Sequence, residues 1–210
     1  MEMNIERFTY EEARILILQV DQSIDELIHR LSNFEVYQSA FLAIKNDKRK
    51  KEFLGVRIAM NILTDKNVII DYNENQKPFL CDESWKISIS HSQEWVAVIA
   101  HPEKEVGIDI ECRTSKVSKV YKRYLNDVEQ GIFFQENNTE LLEIAWSAKE
   151  VLYKIIGKEA LDFARQLHLE PFSSEKEGVI RATQTTNLKA FNLHYIQNNK
   201  FTMVYCIDKK

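Results

Sequence analysis

The strongest structural signal in this sequence is a helix pattern over residues 140–156 that leads into a series of strands. Thr139 is a candidate cap at the start of this helix, and Gly157 is a stop signal at its end. Four runs typical of strands follow it: residues 167–170, 178–184, 189–197 and 200–207. Because Asn198-Asn199 leaves room only for a tight turn between the last two, we predict an antiparallel sheet that packs on the long helix.

The first half of the chain shows the same order of helices followed by strands. Helix patterns cover residues 23–31 and 34–63. The next strand patterns are Val68–Tyr72, Lys86–Ser90, Trp95–Ala100 and Val106–Glu111. Further helices are predicted over residues 116–125 and 127–135, and the second of these starts with a candidate capping box, Asn126-Asp127-Val128-Glu129. This order of elements predicts the α+β class.

Composition places the chain among ordinary soluble globular proteins. It has 210 residues, of which 44% are hydrophobic and 29% charged, and its net charge is -4. The slightly acidic balance argues against nucleic-acid binding, and the apolar run Ile15–Leu18 is too short for a signal core or a membrane span. Three cysteines without C-x-x-C spacing are typical of reduced thiols. We therefore predict a cytoplasmic protein that binds neither nucleic acid nor membranes.

Acids alternate with apolar residues in Gly107-Ile108-Asp109-Ile110-Glu111. Residues two apart in a strand share a face, so Asp109 and Glu111 should point together while Ile108 and Ile110 face the core. Two carboxylates held side by side repel each other unless a cation neutralises them. Mg²⁺ prefers oxygen ligands of this kind, often together with substrate phosphates. The residues alone leave two interpretations open, a metal site and a strand end with two solvated acids.

The helix over residues 140–156 carries a second charged set. Glu150 and Lys154 are i,i+4 neighbours, and we expect Trp146 and Lys149 one turn earlier on the same side. An exposed pair of this kind is only a surface salt bridge. The large apolar residues of the helix predict substantial burial, however, and charged groups on a buried helix usually have partners. Both interpretations remain open at this point.

His91 follows a half-buried strand in the run Ser90-His91-Ser92. The imidazole, the two hydroxyls and the backbone N–H groups of a tight turn would suit a phosphate oxygen, although a lone histidine is more often structural. Serine, histidine and aspartate could also form a hydrolase triad. The sequence has no G-x-S-x-G elbow, so we discount that class.

Basic residues concentrate in two segments. The first runs from Lys45 to Lys51 and is followed by Arg57, and it could hold phosphates. The second is Lys116–Leu125, in which lysine and arginine alternate with valine and tyrosine. Such an amphipathic basic surface is typical of docking to an acidic protein partner. A solvated charged face is the alternative for each segment taken alone.

Four groups of residues carry a family signature through their order and separation over residues 52–154. They are Glu52-Phe53-Leu54-Gly55-Val56-Arg57; Lys77-Pro78-Phe79; Ile87-Ser88-Ile89-Ser90-His91-Ser92; and Gly107-Ile108-Asp109-Ile110-Glu111 with Trp146-Ser147-Ala148-Lys149-Glu150-Val151-Leu152-Tyr153-Lys154. Together they resemble the 4′-phosphopantetheinyl transferase superfamily, specifically its larger, monomeric (Sfp-like) type. Gln93 stands where many members of that family have glycine.

The resemblance implies a pseudo-twofold arrangement of two similar halves, each with an antiparallel sheet packed on helices, and coenzyme A bound between them. It assigns the Ser-His motif and the basic residues that bind coenzyme A to residues 1–105, and the metal-binding acids and the catalytic helix to residues 106–210. The cofactor-binding residues that it implies are Arg57, Lys77, Pro78, Ser90, His91 and Lys154. The implied ligands of Mg²⁺, which would lie against the coenzyme A pyrophosphate, are Asp109, Glu111 and Glu150.

The implied activity is transfer of 4′-phosphopantetheine from coenzyme A to a serine of an apo acyl or peptidyl carrier protein, with release of 3′,5′-ADP. The implied catalytic residues are Glu129, Glu150 and Lys154. Lys154 would contact the phosphates, while Glu129, Glu150 or a metal-bound water would take the serine proton. An acidic carrier protein would dock near Lys116–Leu125 on a monomeric enzyme. Fatty-acid, polyketide and peptide-synthetase carriers all remain open.

Two other functions are compatible with the same residue types. A Mg²⁺-dependent phosphodiesterase or nuclease could use the D-x-E and E-x-x-x-K sets, but the net negative charge and the lack of an extended basic groove disfavour it. The second is a non-catalytic module that binds a carrier protein or a nucleotide. The intact set of acids and Lys154 disfavours that function.

Overall fold

The computed structural model describes residues 3–113, 117–134, 139–157 and 161–209. The chain divides into two compact units, Met1–Glu103 (unit 1) and Lys104–Lys210 (unit 2). Each unit has a hydrophobic core of its own.

Unit 1 consists of an antiparallel sheet packed against helices. Its elements are β1 (Ile5–Tyr10), β2 (Ala13–Gln19), α1 (Ile24–Arg30), α2 (Phe34–Ala43), α3 (Asp47–Thr64), β3 (Ile70–Tyr72), β4 (Pro78–Leu80), β5 (Lys86–Ser92) and β6 (Trp95–His101). The sheet has the order β1-β2-β6-β5, and β3 pairs with β4 as a separate antiparallel ribbon. Helix α3 packs on β2, β6 and α1, so the main core of the unit lies between the sheet and this helix.

The hairpin of β1 and β2 is missing from the sequence prediction. Ile15–Leu18 forms the centre of β2, which pairs with β1 on one side and with β6 on the other. All four of these side chains are buried, so the strand lacks the apolar-polar alternation that marks a half-exposed strand. The short strand β4 was missed as well.

The predicted single helix over residues 34–63 is wrong, because the chain breaks between α2 and α3. Ile44 adopts an extended conformation at the end of α2, and Asn46 caps α3 by accepting a hydrogen bond from the backbone N–H of Arg49. A cap residue followed by an acid in the first turn is a helix-start signal. Asn46-Asp47 carried that signal inside the charged stretch.

Unit 2 packs a long helix on a five-stranded antiparallel sheet. Its elements are β7 (Val106–Cys112), α4 (Val117–Val120), a 3₁₀ turn (Tyr121–Arg123), α5 (Asp127–Phe133), α6 (Glu140–Ile156), α7 (Phe163–Gln166), β8 (Leu167–Leu169), β9 (Glu177–Gln184), β10 (Lys189–Gln197) and β11 (Phe201–Ile207). The sheet order is β7-β11-β10-β9-β8. Helix α6 packs on β7 and β11, and this contact places its side chains beside the edge strand β7.

The structure confirms the α+β class, with an antiparallel sheet packed on helices in each unit. It also confirms the capping box of Asn126 and Glu129 and the left-handed Gly157 at the end of α6. The predicted helix over residues 116–125 is reduced to α4 and a 3₁₀ turn, and Lys116 lies outside the described residues. The pseudo-twofold relation of the two halves stays a prediction.

Within the described part of the chain, no helix combines the length and the apolar character needed to cross a membrane. None of the three cysteines forms a disulfide: Cys81 is exposed, and Cys112 and Cys206 are buried. The cytoplasmic location stays a prediction.

Candidate active site between β7 and α6

The close approach of β7 and α6 depends on the glycine at position 107. A Cβ atom added to Gly107 would lie 2.7 Å from the backbone oxygen of Val151 and 2.9 Å from the side chain of Ile155. Only glycine therefore permits this packing distance. In the alternating strand β7, the residues that share the face of Gly107 are Asp109 and Glu111. Both carboxylates are thus directed to α6.

Two donors of α6 bind these carboxylates. The Lys154 ammonium donates to Asp109 Oδ1 at 2.8 Å and to the backbone oxygen of Ile108 at 2.8 Å. Near the other end of the helix, Trp146 Nε1 donates to Glu111 Oε1 at 3.3 Å. Asp109 is almost fully buried, while the side chain of Lys154 keeps 25% of its exposure. The expectation that Asp109 and Glu111 share a face is confirmed.

Glu150 lies on the same helical stripe, one turn from Trp146 and one turn from Lys154. The pKa of Glu150 is raised to about 7: burial is the main cause, the neighbouring carboxylates of Asp109 and Glu111 add to the rise, and Lys154 opposes it. The three acids that the sequence singled out as metal ligands therefore interact electrostatically in the folded chain. Among the residues that the structure describes, Lys154 is the cation that counters the rise in the pKa of Glu150 caused by the two neighbouring carboxylates.

The donor chemistry of this cluster fits a hard divalent cation. Its oxygen atoms are the ligand type that Mg²⁺ prefers, and mutual repulsion among the acids would be relieved by a cation. In the residues that the structure describes, no three His, Cys, Asp or Glu side chains are arranged as a metal ligand set. Asp109 instead directs Oδ1 to Lys154. The chemistry of the acids fits Mg²⁺, whereas in the present arrangement Asp109 is paired with Lys154.

The raised pKa of Glu150 predicts how the stability of the metal-free protein depends on pH. The folded chain holds the Glu150 proton up to about pH 7, whereas an unfolded chain releases it near the ordinary glutamate pKa of 4.5. Between these values the folded state binds more protons, so its free energy of unfolding falls as pH rises. We expect Glu150→Gln to remove a fall of roughly 1–3 kcal/mol between pH 5 and pH 8, measured by urea unfolding with a chelator present.

A matched control for this experiment is Glu170→Gln, which removes an exposed carboxylate beyond the end of β8. This variant should retain the pH dependence of the wild type. If the free energy of unfolding depended on pH in the same way in the wild type and in Glu150→Gln, the titration of Glu150 would not influence folding.

Lys149 does not share the side of Glu150 and Lys154, so that expectation is wrong. Its side chain is fully buried and forms an ion pair with Glu129 at 2.6 Å, where Glu129 is also fully buried. Burial lowers the pKa of Lys149, and the carboxylate of Glu129 opposes that change. Glu129, a sequence candidate for proton removal, is therefore enclosed in the core of unit 2.

In unit 1, His91 lies at the end of β5 beside a carboxylate that the sequence analysis did not single out. His91 Nδ1 is 3.7 Å from Oε1 of Glu52, a nearly buried residue of α3. Glu52 also pairs with Arg49 at 2.9 Å and with Lys48 at 3.9 Å. The turn after β5 contains Gln93 with a φ of 53°. Glycine is favoured at such a φ, which accounts physically for the glycine of many family members.

The other cofactor-binding candidates of unit 1 lie in different environments. Arg57 is 5% exposed, and its guanidinium stacks on Phe53 at 3.3 Å and on Tyr37 at 4.3 Å from the ring centroids. It is thus a buried residue packed against aromatic rings of unit 1, and its role in binding coenzyme A stays a prediction. Lys77 closes the turn before β4, which begins at Pro78, and both are half-buried. Ser90 is buried within β5.

The sequence analysis missed two features: the carboxylate of Glu52 beside His91, and the inward direction of the Lys149 side chain. Glu52 was quoted only as part of a motif, although its i,i+4 spacing to Lys48 was visible. For Lys149 no local signal was present, because a capping-box glutamate can be exposed, as Glu26 of α1 is, and only tertiary packing buries Glu129.

A comparison with protein-family models matches residues 105–206 to the model described as the 4′-phosphopantetheinyl transferase superfamily. A search of curated proteins finds no match. The matched segment contains the acids of β7, the buried Glu129 and the whole of α6, whereas His91 and the other unit 1 candidates lie before it. Phosphopantetheinyl transfer is the general activity that this match supports. Over residues 105–206, just under half of its length, the chain is similar to the 4′-phosphopantetheinyl transferase superfamily.

Proposed function

We propose that this protein transfers the 4′-phosphopantetheinyl group of coenzyme A to a serine of an apo carrier protein, with Mg²⁺ as cofactor. The observation that carries the proposal is the cluster of Asp109, Glu111 and Glu150 with Lys154, which lies inside the segment matched by the family model. Three interacting carboxylates and one ammonium suit a cation and a diphosphate.

The proposed reaction is a displacement at the β-phosphorus of coenzyme A. The serine oxygen of the carrier forms a new bond to this phosphorus, and the bond from the β-phosphorus to the bridging oxygen of the pyrophosphate breaks. The bridging oxygen leaves with 3′,5′-ADP, and the serine proton passes to a base. Bound Mg²⁺ would supply positive charge at the pyrophosphate. Asp109, Glu111 and Glu150 would hold it.

The residues around the cluster have separable tasks. Lys154 would neutralise charge on the phosphates, since its ammonium is fixed between Asp109 and the Ile108 backbone oxygen. Trp146 orients Glu111 through its indole N–H. For the serine proton we favour Glu150, because a carboxylate can use one oxygen for a cation and the other for a proton.

For coenzyme A, unit 1 offers a cleft of about 610 Å³ at the N-terminal end of α3. Its lining includes Lys48 and Lys51 and also four acids, Asp21, Asp47, Glu52 and Glu94. The N-terminus of an 18-residue helix carries partial positive charge that favours a phosphate. We assign this surface, together with His91, Lys77, Pro78 and Ser90, to the nucleotide part of coenzyme A.

For the carrier protein, we propose docking on the surface formed by α4, the 3₁₀ turn and the exposed side of α5. Lys119 and Lys122 are exposed there, and Tyr121 stacks on Phe134 with ring centroids 4.5 Å apart. Val128, 66% exposed, adds an apolar contact on α5. Positive charge beside apolar surface suits an acidic partner helix. Lys116, also predicted in this surface, lies outside the described residues.

The direct test is incubation with coenzyme A, Mg²⁺ and a panel of apo carrier proteins from fatty-acid, polyketide and peptide synthesis. Mass spectrometry should detect one added phosphopantetheinyl group on the active serine, and none on a carrier whose serine is replaced by alanine. The proposal would be rejected if no carrier in the panel gained mass. Cleavage of nucleic acid or of a phosphodiester by the same preparation would indicate the alternative enzyme class.

A further prediction concerns the docking surface. Reversing the charge of Lys119 and Lys122 to glutamate should raise KM for the carrier by about tenfold, because each lost attraction becomes a repulsion from the acidic partner. KM for coenzyme A should not change, and steady-state kinetics at two salt concentrations measures both. The exposed Lys176 and Lys200 in unit 2 provide a control with the same change of net charge. Equal increases in both KM values would argue against docking at this surface.

The family match over residues 105–206 gives neither the subtype of transferase nor its location in the cell. We propose the larger, monomeric type of transferase, acting in the cytoplasm. The identity of the carrier is left to the panel experiment.

A further inference from the structure

The core of unit 2 contains a charged pair on a different side of α6 from the proposed active site, about 100° round the helix from Glu150. Lys149 Nζ lies 2.6 Å from Glu129 Oε2, and both side chains are 0% exposed. Glu150, the next residue along the chain, belongs to the carboxylate cluster that faces β7. The two sides of α6 therefore carry different charged networks.

Every polar atom of the buried pair has a partner. Besides Glu129, Lys149 donates to the backbone oxygens of Phe163 at 3.1 Å and Leu167 at 3.0 Å. Glu129 Oε1 accepts from the backbone N–H of Leu169 at 2.8 Å, and Oε2 accepts from that of Asn126 at 3.0 Å. The pair thus joins the start of α5, the middle of α6, and α7 with β8.

Such a network is a costly way to obtain stability alone. Two buried charges lose their hydration, and well-packed apolar side chains of similar volume often stabilise a fold equally well. A fully satisfied buried pair does, however, allow only one arrangement of its partners. Here that arrangement determines the rotation of α6 about its own axis. With Lys149 directed to Glu129, the stripe of Trp146, Glu150 and Lys154 is directed to β7.

We propose that Glu129 and Lys149 are positioning residues, whose buried ion pair fixes the rotation of α6 and so directs Glu150 and Lys154 to the reacting phosphates. The inference rests on the proposed transfer reaction. In this role Glu129 does not remove the serine proton. Its two oxygens already accept three hydrogen bonds, and its enclosure keeps a substrate hydroxyl from reaching it.

His168 is the side chain through which Glu129 could be linked to the surface. His168 Nδ1 is 3.9 Å from Glu129 Oε1, which is beyond hydrogen-bond distance, and its side chain is 43% exposed. A proton relay through this histidine would require the strand β8 to rearrange. His168→Phe should therefore leave kcat within about twofold of the wild type.

The test is a double-mutant cycle with Glu129→Gln, Lys149→Met and the combination of both. Lys149→Met leaves a buried carboxylate without its cation, so we expect Tm to fall by roughly 10 °C. We also expect kcat to fall about 10- to 100-fold, because small displacements of catalytic groups have effects of this size. Adding Glu129→Gln to Lys149→Met should recover most of both losses, since the remaining side chains are neutral. A base could not be recovered in this way.

Two measurements and one control variant distinguish a positioning role from a catalytic base and from a purely structural pair. Hydrogen exchange of the α6 backbone should be faster in Lys149→Met and return towards wild type in the double variant. KM for the carrier should stay constant while kcat changes. The control is Lys189→Met. It breaks a different ion pair of unit 2, in which Lys189 lies 2.6 Å from Asp208. It should lower Tm without changing kcat, because Lys189 lies on β10, away from α6.

Two results would overturn the inference. A loss of 100-fold or more in kcat for Glu129→Gln in both backgrounds, with unchanged Tm and α6 exchange, would make Glu129 the base. Lower Tm with wild-type kcat in every variant would make the pair structural only. If the wild-type protein itself modifies no carrier, the proposed function fails, while the exchange cycle still measures whether the pair fixes α6.

Discussion

Asp109→Asn should reduce kcat/KM for phosphopantetheine transfer by about 1,000-fold or more while the fold is retained. Asparagine has the same shape and can still accept the hydrogen bond of Lys154, so the contact between β7 and α6 is preserved. The lost charge matters because a cation bound by Asp109, Glu111 and Glu150 would supply several kcal/mol of stabilisation at the diphosphate, and each 1.4 kcal/mol corresponds to about tenfold in rate.

The measurement is transfer to an apo carrier over a range of Mg²⁺ concentrations, with circular dichroism to check folding. Asp208→Asn is a matched control, since Asp208 is another nearly buried aspartate of unit 2 that pairs with a lysine. It should keep near wild-type transfer. Near-normal turnover of Asp109→Asn at low Mg²⁺ would refute the assignment of Asp109 as a metal ligand.

Lys154→Gln should lower kcat by about 100-fold with a smaller change in KM for coenzyme A. Lys154 is held by Asp109 and by the Ile108 backbone oxygen, so its charge is fixed before substrate arrives. Removing one such preorganised donor from an enzyme site typically lowers the rate by a factor of about 100 to 1,000. Lys154→Arg should recover part of the activity, because the charge is restored with a different shape.

Lys176→Gln removes an exposed lysine of unit 2 and serves as the control for the lost charge. Single-turnover kinetics with saturating carrier separates the chemical step from binding. A variant Lys154→Gln with unchanged kcat and raised KM for coenzyme A would mean that Lys154 contributes to substrate binding only, and that the phosphate charge is neutralised elsewhere.

Local chemistry explains which parts of this site could be predicted. Alternation along a strand placed Asp109 and Glu111 on one face, and helical spacing placed Glu150 beside Lys154. The capping box of Asn126 and Glu129 is also a local pattern. These features depend on residues within about one turn or two strand positions of each other, so the sequence alone is sufficient to specify them.

The break between α2 and α3 was visible in the sequence but was hidden by a competing pattern. Apolar residues recur at helical spacing on both sides of Asn46, which supports one continuous helix. The cap hydrogen bond to Arg49 shows that the local start signal prevailed. The missed hairpin of β1 and β2 has a different cause, because Ile15–Leu18 is recognisable as a central strand only when both of its neighbours are known.

The sequence by itself determined the class of fold, the faces of β7 and α6, and the inventory of acids and lysines that can handle a diphosphate. The tertiary structure decided where those faces meet: Gly107 lets α6 approach β7, Lys149 turns inward to Glu129, and the guanidinium of Arg57 is enclosed by aromatic rings. The physical reason is the distance along the chain over which each effect acts. Side-chain direction follows from neighbouring residues, whereas burial, ion pairing and a pKa near 7 at Glu150 arise only when distant segments exclude water together.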